Sequence, residues 1–450
     1  MSANPKPLAG QPSVRPEDMV DNRLEDGIFR VDRSIYTDEA LFEREMKQIF
    51  ENDWVFLCHE SQVPNTGDYY STFIGRQPVL VIRDKEGKLN GFINACAHRG
   101  AVLTERRQGN ATTLRCRFHG WCFNTQGRCT RIKNEKTGWP EGADKAERSL
   151  KSIGKLGSYR GFVFGSLNAD VPELEDHLGE AKPFIDLIAD QSPEGVEVIG
   201  GHSDYIIRGN WKMQAENGVD GYHVSTVHRV FAATVMQREE REGREGTAKT
   251  EAGRIAGIVP TGCYDLDNGH MLIWAGRATP EVGPLWQYRD KLLERFSEDK
   301  VRWMLERGRN LCLFPNMLLM DQPSTQIRVF RPLSVDRTLV TVYCIAPKGE
   351  SKEGRTARIR KFEDFYMVTG MATPDDLAAL EDCQIGAHGE LSRWTDVTRG
   401  LSSMQEGPDG PAQELGIKPV SSNSDWDFET LYYSFYRKWL KQMISDEKGA

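Results

Sequence analysis

The sequence predicts an α+β chain, with an all-β segment first and a larger segment mixing helices and strands after it. Two observations carry this. From Asp53 to about Asn168 short β-rich runs are separated by Gly, Asn and Asp turns. After about Pro172 helical periodicities alternate with strand patterns. A length of 450 residues accommodates two or three domains. The expected division is an N-terminal arm and lead-in over 1–37, a β domain over 38–168, and a second domain over 169–450.

Met1 to Val20 is polar and Pro-rich with no apolar run, and reads as a loose arm rather than a signal peptide. Residues 38–52 are expected to be a helix. Thr37 or Asp38 can cap it, and Leu41, Phe42, Met46, Ile49 and Phe50 fall near helical spacing. Strands are expected at Trp54–Cys58, Val79–Arg83, Gly91–Asn94 and Gly161–Leu167, with Asn65-Thr66-Gly67-Asp68 as one of the turns. The polar stretch Asn134–Glu147 reads as a surface excursion. In the second domain helices are expected at 172–190, 287–308, 352–369 and 374–383. Strands are expected at 269–274, 310–321, 325–331 and 339–346. Residues 237–257, rich in Glu, Arg, Gly and Lys, read as a solvated loop.

The β domain holds two short loops, Cys96-Ala97-His98-Arg99-Gly100 and Cys116-Arg117-Phe118-His119-Gly120-Trp121. Two cysteines and two histidines in this arrangement are the ligand set of a Rieske [2Fe–2S] cluster. The thiolates hold one iron and the imidazoles the other. Imidazole ligation raises the potential to about −150 to +300 mV, against about −400 mV for all-Cys plant-type clusters. A structural zinc site also takes Cys2His2, but it pairs like ligands as C-x2-4-C and H-x3-5-H. Here each loop mixes one Cys with one His.

A second candidate centre lies in Glu216-Asn217-Gly218-Val219-Asp220-Gly221-Tyr222-His223-Val224-Ser225-Thr226-Val227-His228. Two histidines and one carboxylate on one face of an iron(II) leave positions open for oxygen and substrate. On a regular helix Asp220 and His223 share a face. His223 and His228 do not, because five steps of about 100° leave them roughly 140° apart. A common metal therefore requires a break or a π-type bulge between them, and Gly218 and Gly221 each weaken a helix by about 1 kcal/mol. The third ligand is expected from Thr373-Pro374-Asp375-Asp376, where Thr373 is also a good N-cap and Pro374 a good N1 residue. Asp376 is the choice, although spacing alone does not separate it from Asp375.

Bulk properties exclude several classes. Net charge is −8, with no basic run, so nucleic acid is not an expected partner. Mean hydropathy is −0.54 and no apolar run reaches membrane length. Nine scattered cysteines, an odd number, suit a reducing cytoplasm rather than a disulfide framework. No GxGxxG opens a helix after a strand and no Walker A motif is present. Electrons must therefore come from another protein.

These motifs resemble the large (α) subunit of Rieske non-haem iron ring-hydroxylating dioxygenases, and within them the benzoate, toluate and anthranilate 1,2-dioxygenase group. Further marks are Ile74-Gly75-Arg76-Gln77-Pro78, Gly209-Asn210-Trp211-Lys212, Asn310-Leu311-Cys312-Leu313-Phe314-Pro315 and Gly370-Met371-Ala372-Thr373-Pro374-Asp375-Asp376. The resemblance implies a Rieske β domain followed by a helix-grip catalytic domain with an antiparallel sheet. It implies that Cys96, His98, Cys116 and His119 bind the cluster and that His223, His228 and Asp376 bind the catalytic iron. Asp220 then matches an acid that bridges a cluster histidine of one subunit to an iron histidine of the next, and Asn217 an Asn near the iron.

The implied assembly is α3β3, with a small β subunit. The implied electron source is a reductase carrying FAD and a plant-type [2Fe–2S] centre, which takes electrons from NADH. The implied reaction adds both atoms of O2 to an aromatic carboxylate, giving a cis-diol. Arg328, in Gln326-Ile327-Arg328-Val329-Phe330-Arg331, is the candidate for the carboxylate, although a strand arginine paired with a surface acid reads the same way. A Rieske monooxygenase, a hydroxylase or demethylase on a related aromatic acid, would share every metal ligand. A cytochrome bc-type carrier would have an extra cysteine in each loop, where this chain has Ala101 and Phe118, and a membrane anchor.

Overall fold

The computed structural model describes residues 15–243, 259–322 and 324–444. The N-terminal half is built from three small antiparallel sheets. A four-stranded sheet runs Leu89–Ile93, Gln77–Arg83, Asp68–Ile74 and Gln108–Asn110. A three-stranded sheet, Cys129–Arg131, Cys122–Asn124 and Thr113–Arg115, faces it across a core containing Leu80, Ile82, Leu114, Trp121 and Phe123. The third joins Lys155–Tyr159, Phe162–Ser166 and Val55–His59. Every residue of Val55–His59 and Phe162–Ser166 is buried. Alternate side chains serve different cores. Val55, Leu57 and Val163 enter one, while Phe56, Phe162 and Phe164 enter a second that contains Leu272 and Trp303 of the other half. Burial on both faces explains why these strands read as continuous apolar runs.

The C-terminal half is a ten-stranded sheet whose described pairings are antiparallel. Its centre runs Arg337–Pro347, Gln326–Ser334, Met317–Met320, Arg307–Leu313, Met271–Gly276 and Thr261–Asp265. Helices Trp211–Asn217, Lys352–Tyr366, Thr373–Gly386 and Tyr432–Ile444 cover it. The last buries Tyr432, Tyr433, Phe435, Tyr436, Trp439 and Met443. Glu45 joins the halves. Fully buried, it accepts from Trp211 Nε1 (2.8 Å), Trp439 Nε1 (2.6 Å) and Lys212 Nζ (2.5 Å). The same arrangement satisfies Lys212, whose pKa burial pushes down while Glu45 holds it up.

Several elements depart from the sequence expectation. The helix expected over 38–52 is α only over Glu39–Glu45, capped by Asp38 at Leu41 N (2.8 Å), and widens into a π turn over Met46–Phe50. The strand expected over 310–321 is a hairpin of two, turning at Phe314-Pro315-Asn316, where Pro has no N–H to give a ladder. The helix expected over 287–308 breaks before Ser297, which caps Glu298–Leu305, and a strand begins at Arg307. Of the loop expected over 237–257, residues up to Glu242 belong to helix Arg229–Glu242, and 244–258 lie outside the described residues. Residues 1–14 of the expected arm lie outside them as well. Val20–Arg23 and Ile28–Asp32 form a hairpin that pairs with Trp394–Asp396.

Two candidate metal centres and a cavity

The loops at Cys96 and Cys116 close in the same way. Cys96 N–H donates to Ala101 O (2.8 Å) and Gly100 N–H to Cys96 O (2.8 Å). Cys116 N–H donates to Trp121 O (2.8 Å) and Gly120 N–H to Cys116 O (3.0 Å). Gly100 and Gly120 sit at φ 71° and 74°, where a side chain is disfavoured. Both thiols are buried. Burial pushes the Cys96 thiol up, the Cys116 thiol adds to this, and the backbone N–H groups of His98 and Arg99 oppose it.

The His98 and His119 rings lie 4.6 Å apart, and Trp121 stacks on His98 at 4.8 Å. His98 Nδ1 is buried without a hydrogen-bond partner. An unpaired ring nitrogen held with two facing thiols and a second imidazole is the donor chemistry of a Cys2His2 diiron cluster. Trp121, which fixes the plane of His98, was not singled out in the sequence.

The second centre depends on how the chain breaks. Helix Trp211–Asn217 is capped by Asn210, whose side chain accepts from Lys212 N (3.1 Å), and it ends at Gly218. At Gly218 an added Cβ would lie 2.3 Å from Leu318, and at Gly221 it would lie 2.6 Å from the Trp426 carbonyl. The sheet and the C-terminal segment therefore press directly on this backbone. Asp220 turns the chain, accepting from Tyr222 N (2.7 Å) and His223 N (3.4 Å). His223 then precedes the short helix Val224–Val227, and His228 stands at its junction with Arg229–Glu242. The expected interruption exists, as a full break rather than a bulge.

Asp376 arrives from the opposite side, in the first turn of Thr373–Gly386. Thr373 is inside this helix and does not cap it. Its hydroxyl donates to the carbonyls of Phe365 (3.3 Å) and Tyr366 (3.1 Å), which end the preceding helix and lack helical partners.

His223 Nε2, His228 Nε2 and Asp376 Oδ1 converge. The histidine nitrogens are 3.3 Å apart, and Asp376 Oδ1 is 3.4 Å from His223 and 3.2 Å from His228. These three side chains can hold one metal ion. Donors just over 3 Å apart match a first-row ion roughly 2.1 Å from each. Two histidines and one carboxylate are the facial set of non-haem iron oxygenases. Asp220 Oδ2 lies 3.2 Å from His223 Nδ1, within ion-pair distance but off the hydrogen-bond line. Burial would lower His223, but Asp220 and Asp376 outweigh it and raise its pKa to about 10. Burial would raise Asp376, but the two histidines hold it well below the carboxylate range. Asn217 Nδ2 donates to Asp376 Oδ1 (3.3 Å).

These donors open onto a cavity of about 890 Å³. Phe231, Ile273, Met320, Phe365 and Tyr366 give it apolar walls. Arg328 reaches it from strand Gln326–Ser334. That side chain is 3% exposed, and among the described residues its Nε has no hydrogen-bond partner while Nη1 meets the Gln214 Oε1 at 3.5 Å. It makes no ion pair among the described residues. The nearby acid of the sheet, Asp321, is engaged by Arg309. The alternative of a surface-paired strand arginine is therefore not what the structure has. Nothing in the sequence signals that Gln214 and Tyr366 meet Arg328, because they are remote from it along the chain.

Residues 53–153 match the Rieske [2Fe–2S] domain, and residues 194–445 match the ring hydroxylating alpha subunit catalytic domain. The chain belongs to the ring-hydroxylating α-subunit family. It is 46% identical over 434 residues to the toluate 1,2-dioxygenase subunit alpha of Pseudomonas putida, covering 96% of this chain and 95% of that one. It is 42% identical over 433 residues to the anthranilate 1,2-dioxygenase large subunit of Acinetobacter baylyi, covering 94% and 92%. Among solved structures, naphthalene 1,2-dioxygenase from Rhodococcus sp. superposes with a TM-score of 0.80 at 24% identity, covering 93% and 95%, a likeness of fold. This α subunit is thus a Rieske-type ring-hydroxylating dioxygenase component, with a [2Fe–2S] domain and a mononuclear-iron catalytic domain. None of its described helices is long and apolar enough to cross a membrane.

Proposed function

We propose that this α subunit inserts both atoms of O2 into a benzoate-type aromatic carboxylate at ring carbons 1 and 2. Arg328 carries the reading. A buried cation without an acid partner is costly unless an anion arrives, and a ligand carboxylate can accept a guanidinium fork through both oxygens. The relatives are named for toluate, 2-halobenzoate and anthranilate, all ring carboxylates.

Cys96, His98, Cys116 and His119 would hold the [2Fe–2S] cluster, and His223, His228 and Asp376 the iron(II). When bound, these groups supply single-electron transfer and O2 activation, which side chains cannot. The chain does the rest. The charge of Asp220, 3.2 Å from His223 Nδ1, favours a proton on that nitrogen, so that Nε2 presents its lone pair to the site. Asn217 orients Asp376. Phe231, Ile273, Met320 and Phe365 exclude water around the ring. Arg328 fixes which ring edge faces the metal donors.

The partners follow from the same reading. A reductase with FAD and a plant-type [2Fe–2S] centre passes on electrons from NADH, and a small β subunit completes an α3β3 assembly. In it Asp220 bridges to the cluster loops of the neighbouring α subunit. Supporting this, Val102 and Phe118 are exposed beside the cluster loops, and Tyr222 and Val230 beside the iron donors. A cytoplasmic location suits the free thiols, all buried except Cys383.

Reconstitution with reductase and NADH, with oxygen uptake and product analysis, tests the proposal. Benzoate, toluates, halobenzoates and anthranilate should be consumed, benzoate giving a 1-carboxy-1,2-diol, while uncharged toluene and naphthalene should not. Preference for the neutral rings would contradict it. A hydroxylated or demethylated product would favour the monooxygenase alternative.

A further inference from the structure

Behind the metal donors lies a second cavity, of about 440 Å³. Asn217, Asp220, His223 and Asp376 line both cavities and so form the partition between them. Tyr36, Glu216, Glu429 and Tyr432 line the rear one. Glu216 is half-buried and lines this space. Its Oε1 accepts from Tyr36 OH (3.0 Å) and from Tyr436 OH, and the two phenols lie 2.7 Å apart. It makes no ion pair among the described residues: Lys212, within its electrostatic reach, is bound to Glu45 at 2.5 Å, and Arg33, which lines the same cavity, donates to Ser392. A half-buried carboxylate held by two phenol donors, with no ion pair among the described residues, is a costly arrangement that packing alone does not explain.

Ring dioxygenation has its own requirement. The ring, O2, two electrons and two protons give the cis-diol. The O–O bond breaks and two C–O bonds form. The reductase supplies the electrons, and the protons must reach a centre whose front cavity is filled by substrate.

We propose that Glu216 supplies these protons through the rear cavity to the metal side of the partition, and that Glu429 reloads it from solvent. Each passage leaves Glu216 as a carboxylate held by the hydroxyls of Tyr36 and Tyr436, and two passages serve one O2. This rests on the dioxygenase reading above.

The groups around both acids suit the task. Burial raises Glu216 to about 7, against the lowering hydrogen bonds of Tyr436 and Tyr36, with Lys212 opposing and Asp220 adding. Cys383, Tyr432 and Glu429 also lie within its electrostatic reach, and Arg33 lines the same cavity. Burial, Asp220 and Glu216 raise Glu429 to about 7, with Arg399 opposing and Asp396 adding. Tyr432 and Tyr433 complete the surroundings of Glu429. A proton donor works best when its pKa lies near the operating pH.

The test uses the assembled enzyme with its reductase. Glu216→Gln should bind both metals but lower kcat roughly a hundredfold, remove the limb near neutral pH from the kcat profile, and enlarge the solvent deuterium effect. Glu429→Gln should shift that limb without abolishing it. A readout independent of turnover is the infrared carbonyl band of protonated carboxyl groups. A component that titrates near neutral pH in the parent should be missing in Glu216→Gln.

An unchanged pH profile, or persistence of that component, would overturn the proposal. Should Glu216→Gln fail to assemble, Tyr436→Phe must move both the band and the limb to higher pH, and unmoved positions would overturn it equally. Lack of turnover of any aromatic carboxylate by the parent would count against the assigned reaction, while the infrared arm would still decide whether Glu216 carries the proton.

Discussion

Arg328 and Asp220 both meet the catalytic site, but they make different demands on it. In the proposed reading the charge of Arg328 is met by the substrate carboxylate, since it has no ion pair among the described residues. Replacing it by Gln removes hydrogen bonds worth about 1.5–3 kcal/mol to a carboxylate. Arg328→Gln should therefore raise KM for benzoate roughly tenfold to a hundredfold, and steady-state kinetics check this. In the proposed reading Asp220 contributes to the wiring rather than to metal ligation. Asp220→Asn should retain the iron content and cluster spectrum of the parent and lose nearly all turnover, as stopped-flow reoxidation of the reduced cluster would show. Full activity would remove it from the bridging role. At the other centre, where the proposal has His98 as a cluster ligand, His98→Cys exchanges a neutral donor for an anionic one. Redox titration should find the potential moved toward the about −400 mV of all-Cys clusters, and an unmoved potential would exclude His98 as a ligand.

At the scale of elements, the site is made by the break between Asn217 and Val224. The bare backbone at Gly218 and Gly221 lets this break sit against Leu318 and Trp426. A methyl group there overpacks the contact at a typical cost of about 1–3 kcal/mol. Gly218→Ala should lower the urea midpoint and the iron retained after dialysis, while leaving the cluster spectrum intact. This break was readable in the sequence, because histidines five apart cannot share a helix face and two glycines stand beside them. The cluster loops were readable for a similar reason, since all four donors lie in two short glycine-ended segments. The role of Thr373 was not. Its sequence fits a cap, and only the neighbouring helix end decides that the hydroxyl donates instead. The partners of Glu216 were hidden as well, because Tyr36 and Tyr436 lie 180 and 220 residues away. Arg328 could be nominated from its strand, but its isolation from acids is a property of the packed sheet.

At the scale of the whole molecule, buried ionisable groups set the response to acid. Burial holds His59 at about 4 and His270 at about 3, against 6.5. Below that ordinary value the unfolded chain binds protons that the native chain refuses, so their contribution to stability falls as pH falls. Glu216, Glu429 and Asp265 act oppositely. Held at about 7, about 7 and about 6, against 4.5, 4.5 and 3.8, they keep protons that the unfolded chain releases, so their contribution is lost as pH rises. The two sets offset one another between about pH 4.5 and 6, and below this the histidines act unopposed. Urea midpoints should be nearly flat in that window and fall steeply beneath it.

All these scales converge on one reaction, and the measurement closest to it is the product made from benzoate under isotope-labelled dioxygen. The account predicts a 1-carboxy-1,2-diol carrying both atoms of a single O2 molecule on adjacent ring carbons. A product with one labelled oxygen, or an untouched benzoate beside consumed NADH, would contradict it.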